Sequence, residues 1–209
     1  VNDVPPSASF SGPNSVLEGS DYTLTLGPVT GPSAGTVTQV IVNWGDGHSD
    51  SFDVPAPEEA IHAYANGPAT RTITVDLVDD SGTQSLPGSV SVSVVDVEPT
   101  VGLSGAESVA EGSHYTINVG PVADPGADVV TQLTVDWGDG TQNIYPPSPG
   151  DITHTFDDGP TIPAIRNISV DVLDDDGLHE NAGVFLLRVD NVPPTLNLAG
   201  TSTIDEGSD

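Results

Sequence analysis

The segment Trp44-Gly45-Asp46-Gly47 returns as Trp137-Gly138-Asp139-Gly140, and its surroundings return with it. Glu18-Gly19-Ser20 reappears at the same offset as Glu111-Gly112-Ser113, and a nearly equal step further on as Glu206-Gly207-Ser208. Val4-Pro5-Pro6 becomes Val97-Glu98-Pro99 and then Val192-Pro193-Pro194. Internal repetition decides what kind of object a chain is. Here it divides the sequence into one module at 1–96, a second at 97–190, and the opening strand of a third at 191–209. An enzyme needs one pocket with one arrangement of groups; a chain that copies its distinctive residues end to end is better suited to building length.

Each module is strand text separated by turn text. Leu133, Val135 and Trp137 alternate with Gln132, Thr134 and Asp136, the period-2 signature of a strand with one buried face. Val40, Val42 and Trp44 stand at the matching places in the first copy. Ile73-Val75-Leu77 pairs in the same way with Ile168-Val170-Val172, Val90-Val92-Val94 with Phe185-Leu187-Val189, and Tyr22-Leu24-Leu26 with Tyr115-Ile117-Val119. No stretch carries a helical period, and most of the 23 Gly and 19 Pro punctuate the gaps. About seven short strands in a module of this length predict an all-β fold, tandem immunoglobulin-like antiparallel sandwiches. Gly-Asp-Gly after the Trp strand predicts a tight turn.

The motif set resembles the PKD (polycystic-kidney-disease) domain family. The residues that carry it are Trp-Gly-Asp-Gly after an apolar strand, a later His-x-aromatic (His62-Ala63-Tyr64, His154-Thr155-Phe156), the run from Thr72 to Gly82, and a Val-Pro-Pro junction. The resemblance covers both full repeats. It implies an immunoglobulin-like sandwich of the kind used outside microbial cells as spacer, adhesion module or accessory domain of secreted hydrolases.

Thirty-one acidic side chains face 3 basic ones, a formal charge of −28. Such a field repels nucleic acid and anionic lipid heads and favours cations. With 0 cysteines, disulfides, thiolate metal sites and thiol catalysis are excluded. No apolar run approaches the ~20 residues needed to cross a bilayer as a helix. The chain opens on Val1 rather than Met, as expected of a piece of a longer or processed polypeptide.

Trp44 and Trp137 have inward parity, which favours core packing over a sugar-binding platform. His62 and His154, repeated beside an aromatic, read as hydrogen-bonded sheet residues; His48, His114 and His179, without counterparts, read as surface residues. Asn167-Ile168-Ser169 fits a glycosylation sequon but lies within strand text.

The carboxylates say more. In such a sandwich the incoming linker, the loop between the second and third strands, and the last hairpin meet at one pole. The second copy places acids in all three: Asp96 and Glu98, Asp124 and Asp128, and Asp174-Asp175-Asp176. Calcium takes six to eight oxygens from such loops, so Asp124, Asp128, Asp174 and Asp176, assisted by Asp96 or Glu98, are the candidate calcium ligands. The alternative is a set of ordinary solvated turn residues. The first copy has Gly31, Gly35 and Ser81 where the second has Asp124, Asp128 and Asp176, leaving Asn2, Asp3, Asp79 and Asp80 as a weaker set. Glu18, Glu111 and Glu206 belong to a loop at the opposite pole, either reaching the next linker or accepting backbone N–H bonds in their own turn.

The functional expectation is a non-enzymatic structural segment of a large microbial surface protein, a stalk, adhesin or filament spacer, with an accessory polysaccharide-binding module as the alternative. Val95-Asp96-Val97-Glu98-Pro99 has no Gly or Ser, and proline holds its surroundings extended, so joined beads should keep a fixed angle. The expected partners are adjacent repeats or other copies in a head-to-tail fibre, and surface polysaccharide. Leu196 and Leu198 open a third module, which either continues in the same chain or completes a sandwich in a neighbouring copy.

Overall fold

The computed structural model describes residues 6–31, 36–157 and 164–199. The first copy contains β1 (Phe10–Ser11), β2 (Ser15–Leu17), β3 (Asp21–Leu26), β4 (Gln39–Asn43), β5 (Ser49–Asp53), β6 (Glu59–Ala63), β7 (Ala69–Asp79), β8 (Gly82–Ser85) and β9 (Val90–Val95). The second contains β10 (Thr100–Gly105), β11 (Ser108–Ala110), β12 (His114–Ala123), β13 (Gln132–Asp136), β14 (Gln142–Tyr145), β15 (Gly150–Thr155), β16 (Ala164–Leu173) and β17 (Leu178–Asp190). No α-helix occurs among the described residues.

Each copy is a two-sheet sandwich. The first stacks β1-β3-β6 on β2-β9-β7-β4-β5, with β8 on β7; the second stacks β10-β12-β15 on β11-β17-β16-β13-β14. The opening segment is shared between the sheets: β1 and β10 pair antiparallel in the small sheet, whereas β2 and β11 pair parallel with the last strand of the large one. Together these give the immunoglobulin-like layout.

The alternation read from the sequence is the burial pattern. Val40, Val42, Trp44, Ile73, Val75 and Leu77 line one core, and Leu133, Val135, Trp137, Ile168, Val170 and Val172 the other. Both tryptophans are 0% exposed. At ~25 cal/mol per Å² of apolar surface removed from water, these inward faces are the main stabilising term of each sandwich.

Several strands are not evident from apolar alternation, β8 and the short β1, β2 and β11 among them. β5, β6, β14 and β15 are edge strands with few inward apolar side chains. An edge strand needs only one partner, and charge on it discourages pairing with other chains. The copies also differ at their last hairpin. Pro87, which has no N–H to donate, separates β8 from β9, whereas Ala182 lets β17 run unbroken from Leu178 to Asp190.

In the Trp-Gly-Asp-Gly turn, positive φ falls on the glycines either side of the aspartate, 83° and 97° at Gly45 and Gly47 and 73° and 93° at Gly138 and Gly140. Residues 191–199 form no strand, and Leu196 and Leu198 are 83% and 84% exposed. The rest of the third opening, with Glu206, lies outside the described residues, as do Asn2, Asp3 and Gly35.

Candidate metal centre at the junction of the repeats

Glu18 follows β2, where the chain turns to enter β3. Its own N–H bonds the Val95 carbonyl (3.0 Å) and the Gly19 N–H bonds the Tyr64 carbonyl (2.8 Å), which fixes the turn against the end of the first sandwich. Its side chain is fully buried: Oε2 accepts from the Gly67 N–H (2.7 Å) and Oε1 from the Val97 N–H (2.9 Å). The two alternatives left open by the sequence are therefore both realised. Glu18 satisfies backbone donors, and one of them belongs to the linker into the next repeat.

The loop between β12 and β13 closes on this turn. The Ala127 N–H donates to the Ala65 carbonyl (2.7 Å), and the Asn66 amide donates to Asp128 Oδ1 (2.6 Å). A Cβ at Gly19, whose φ is +64°, would collide with the Pro125 carbonyl. A Cβ at Gly126 would collide with Asp128 and approach the Glu18 carboxylate to 2.8 Å.

These contacts gather four carboxylates. Glu18, Asp96, Asp128 and Asp176 each present an oxygen within 4.8 Å of the others. They come from the β2–β3 turn, the linker, the β12–β13 loop and the β16–β17 hairpin. Like charges this close resist joint ionisation. Burial, followed by the charges of Glu18, Asp124, Asp176 and Asp175, pushes the Asp128 carboxyl up to about 6. Burial also raises Asp96, and the Glu18 carboxylate beside it adds to the shift. Asp176, at the exposed rim, is raised by what burial it has and then by Asp175, Asp174 and Glu18.

The other candidates are placed differently. Asp124 is adjacent, with Oδ1 capping the Gly126 N–H (3.0 Å) and Oδ2 buried without a hydrogen-bond partner. Asp174 turns inward: Oδ1 accepts from the Asp176 and Gly177 N–H groups, and Oδ2 lies 2.9 Å from His179 Nε2, an ion-pair distance at an angle unsuited to a hydrogen bond. His179 is consequently no surface residue; its side chain is 11% exposed. Asp175 caps the Val129 N–H (2.6 Å), and Glu98 is exposed and outside the group.

Sequence reasoning brought the linker, loop and hairpin to one pole but left Glu18 out of the ligand set. The recurrence of Glu-Gly-Ser was its signal. What recurrence could not supply was that the turn of one repeat lies against the loop of the next. In the first copy Asp79 is occupied locally, with Oδ1 on the Ser81 N–H (2.8 Å) and Oδ2 on the Gln84 amide (3.0 Å).

No family profile and no curated protein matches the chain. Solved structures do. Fibronectin(III)-like modules of Clostridium thermocellum CbhA match at 19% identity and a TM-score of 0.37, over 93% of this chain and all 100% of that one. The ICAM-5 D1–D4 ectodomain fragment matches at 19% identity and a TM-score of 0.39, over 89% of this chain and 48% of that one. The three N-terminal domains of the bacteriophage RB49 Highly Immunogenic Outer Capsid protein match at 14% identity and 0.35, over 89% and 58%. The tandem of immunoglobulin-like β-sandwiches rests on the strand order and the two cores of the chain itself.

Proposed function

We propose that this chain is a non-enzymatic extracellular structural segment, a stalk, adhesin or filament spacer of PKD type in a large microbial surface protein, whose first and second repeats are locked together by calcium. The observation that carries the reading is the junction: four carboxylates from both repeats and their linker within 4.8 Å. Hard divalent cations take carboxylate and carbonyl oxygens in flexible geometry. Asp96, Asp128, Asp176 and Glu18 fit that chemistry, and the orphaned Asp124 Oδ2 supplies a further oxygen. The ion would remove the mutual repulsion of these groups and fix the angle between the beads. The polysaccharide-binding alternative lacks an aromatic platform in the tryptophans, since both are buried.

Calorimetry of the whole chain in calcium and in EDTA tests the site, because a ligand bound only by the native state raises its melting temperature. A rise is expected at about 1 mM calcium, where extracellular modules bind. Glu18→Gln should abolish most of it and Glu111→Gln should leave it intact. No calcium-dependent shift, or equal losses in the two variants, would sink the site.

A further inference from the structure

The Trp-Gly-Asp-Gly turn is built on one plan in both copies. The indole N–H of Trp44 donates to Asp50 Oδ2 and that of Trp137 to Asn143 Oδ1, both at 2.8 Å. His62 stacks on Trp44 with centroids 4.8 Å apart, and His154 on Trp137 at 4.5 Å, each pair 10° from parallel. Tyr64 and Phe156 meet those imidazoles edge-on. Each imidazole then points Nε2 at the turn aspartate, 2.7 Å from Asp46 Oδ2 and 2.7 Å from Asp139 Oδ2. Packing on two sides leaves the imidazole one orientation.

The copies part at the residue that closes the turn. In the second, Thr141 donates both its N–H (2.9 Å) and its hydroxyl (2.6 Å) to Asp139 Oδ1. In the first, His48 donates its N–H to Asp46 Oδ1 (2.9 Å) and places Nδ1 3.3 Å from Oδ2. Its ring centroid is 5.9 Å from that of His62. Asp46 Oδ2 therefore faces two imidazole nitrogens, and the three ligand atoms lie within 4.8 Å of one another.

The geometry points to a transition-metal site in the first repeat, formed by Asp46, His48 and His62, that takes zinc or a similar divalent ion and leaves a coordination position open to water. Two nitrogens and a carboxylate oxygen suit zinc, nickel or copper(II); calcium and magnesium prefer oxygen alone. Zinc bonds of about 2.0–2.2 Å set tetrahedral ligand atoms roughly 3.3–3.5 Å apart. The Asp46–His48 separation of 3.3 Å is already there. The Asp46–His62 contact of 2.7 Å must open by about half an ångström as the ion replaces the proton on Nε2, leaving the ring proton on Nδ1. The movement falls on the turn, because His62 is held by Trp44 and Tyr64. The His48 side chain is 77% exposed and can swing onto an ion without disturbing the core. Orientation of Asp46 is already fixed, since the His48 N–H holds Oδ1 and turns Oδ2 toward the imidazoles.

The second repeat is a built-in control, with the same tryptophan, aspartate and stacked histidine but Thr141 in place of His48. Isothermal titration of the whole chain with zinc chloride, in excess calcium to occupy the junction carboxylates, tests the site. One zinc per chain is expected. His48→Ala should weaken binding at least about tenfold, and Thr141→His should create a second equivalent by rebuilding the triad on the second repeat. Thermal melts of both variants check folding; the high exposure of His48 means that its loss should leave the melt unchanged. A flat isotherm, an affinity unmoved by His48→Ala, or no added equivalent in Thr141→His would each overturn the assignment.

Discussion

Glu18 and Glu111 occupy the same turn in successive repeats and differ in what lies beyond. Both turns are held alike: the N–H of each glutamate bonds the last strand of its own repeat, and the glycine that follows bonds the carbonyl of Tyr64 or Phe156. Both carboxylates reach the next linker, Glu18 to the Val97 N–H and Glu111 to the Val192 N–H (2.6 Å). Only Glu18 is joined, among the described residues, by aspartates from the linker and two loops of the following repeat. Beside Glu111 the linker offers Asn191 where Asp96 stands in the first junction. A carboxylate after β2 or β11 is thus first a clamp on the linker, and Glu18 is in addition part of an acidic cluster built with aspartates of the linker and the second repeat.

Deleting a tryptophan should show how alike the two copies are. Trp44→Ala and Trp137→Ala should each cost about 3–5 kcal/mol in urea denaturation, from lost burial and a residual cavity. A large inequality would break the equivalence of the cores. Smaller, and specific to the turns, is the glycine pair. Gly112→Ala should cost about 1–2 kcal/mol for the left-handed conformation at φ +72°. Gly19→Ala should cost more and also blunt the calcium response, because its Cβ would push against the Pro125 carbonyl. Equal costs and an intact calcium response would mean that the repeats do not meet as described.

The smallest effect is a pH slope. Asp128 stands at about 6 in the folded chain against an ordinary 3.8, so the native state holds this proton more tightly than the unfolded one. Its contribution is complete below the lower value and is lost as pH rises through the upper one. Metal-free stability should therefore decline with rising pH across that window. Calcium, which binds the ionised group, should flatten or invert the trend. Asp128→Asn should remove it. Thermal melts in EDTA across the window read the slope, and a metal-free stability that rises there would contradict the crowded arrangement.

Much of this was legible in the chain itself. The repeat and the paired histidines follow from residues that recur at a fixed offset, and the sandwich class and the inward tryptophans from period-2 alternation, because a side chain's face is set by its parity once the backbone is extended. The acidic pole followed from a topology that returns particular loops to one end. The edge strands did not show, since Ser49–Asp53 and its kind owe their conformation to one neighbouring strand rather than to their own apolar faces. His179 was equally hidden: nothing local says that a histidine after an acidic hairpin will turn in against Asp174. Glu18 is the clearest case, because its partners lie on the linker and in the second repeat, far along the chain. The sequence determined which residues recur and which face inward. Only the docking of one sandwich on the next decided which carboxylates must share a few ångströms, because that proximity comes from how folded units touch and leaves no period in the chain.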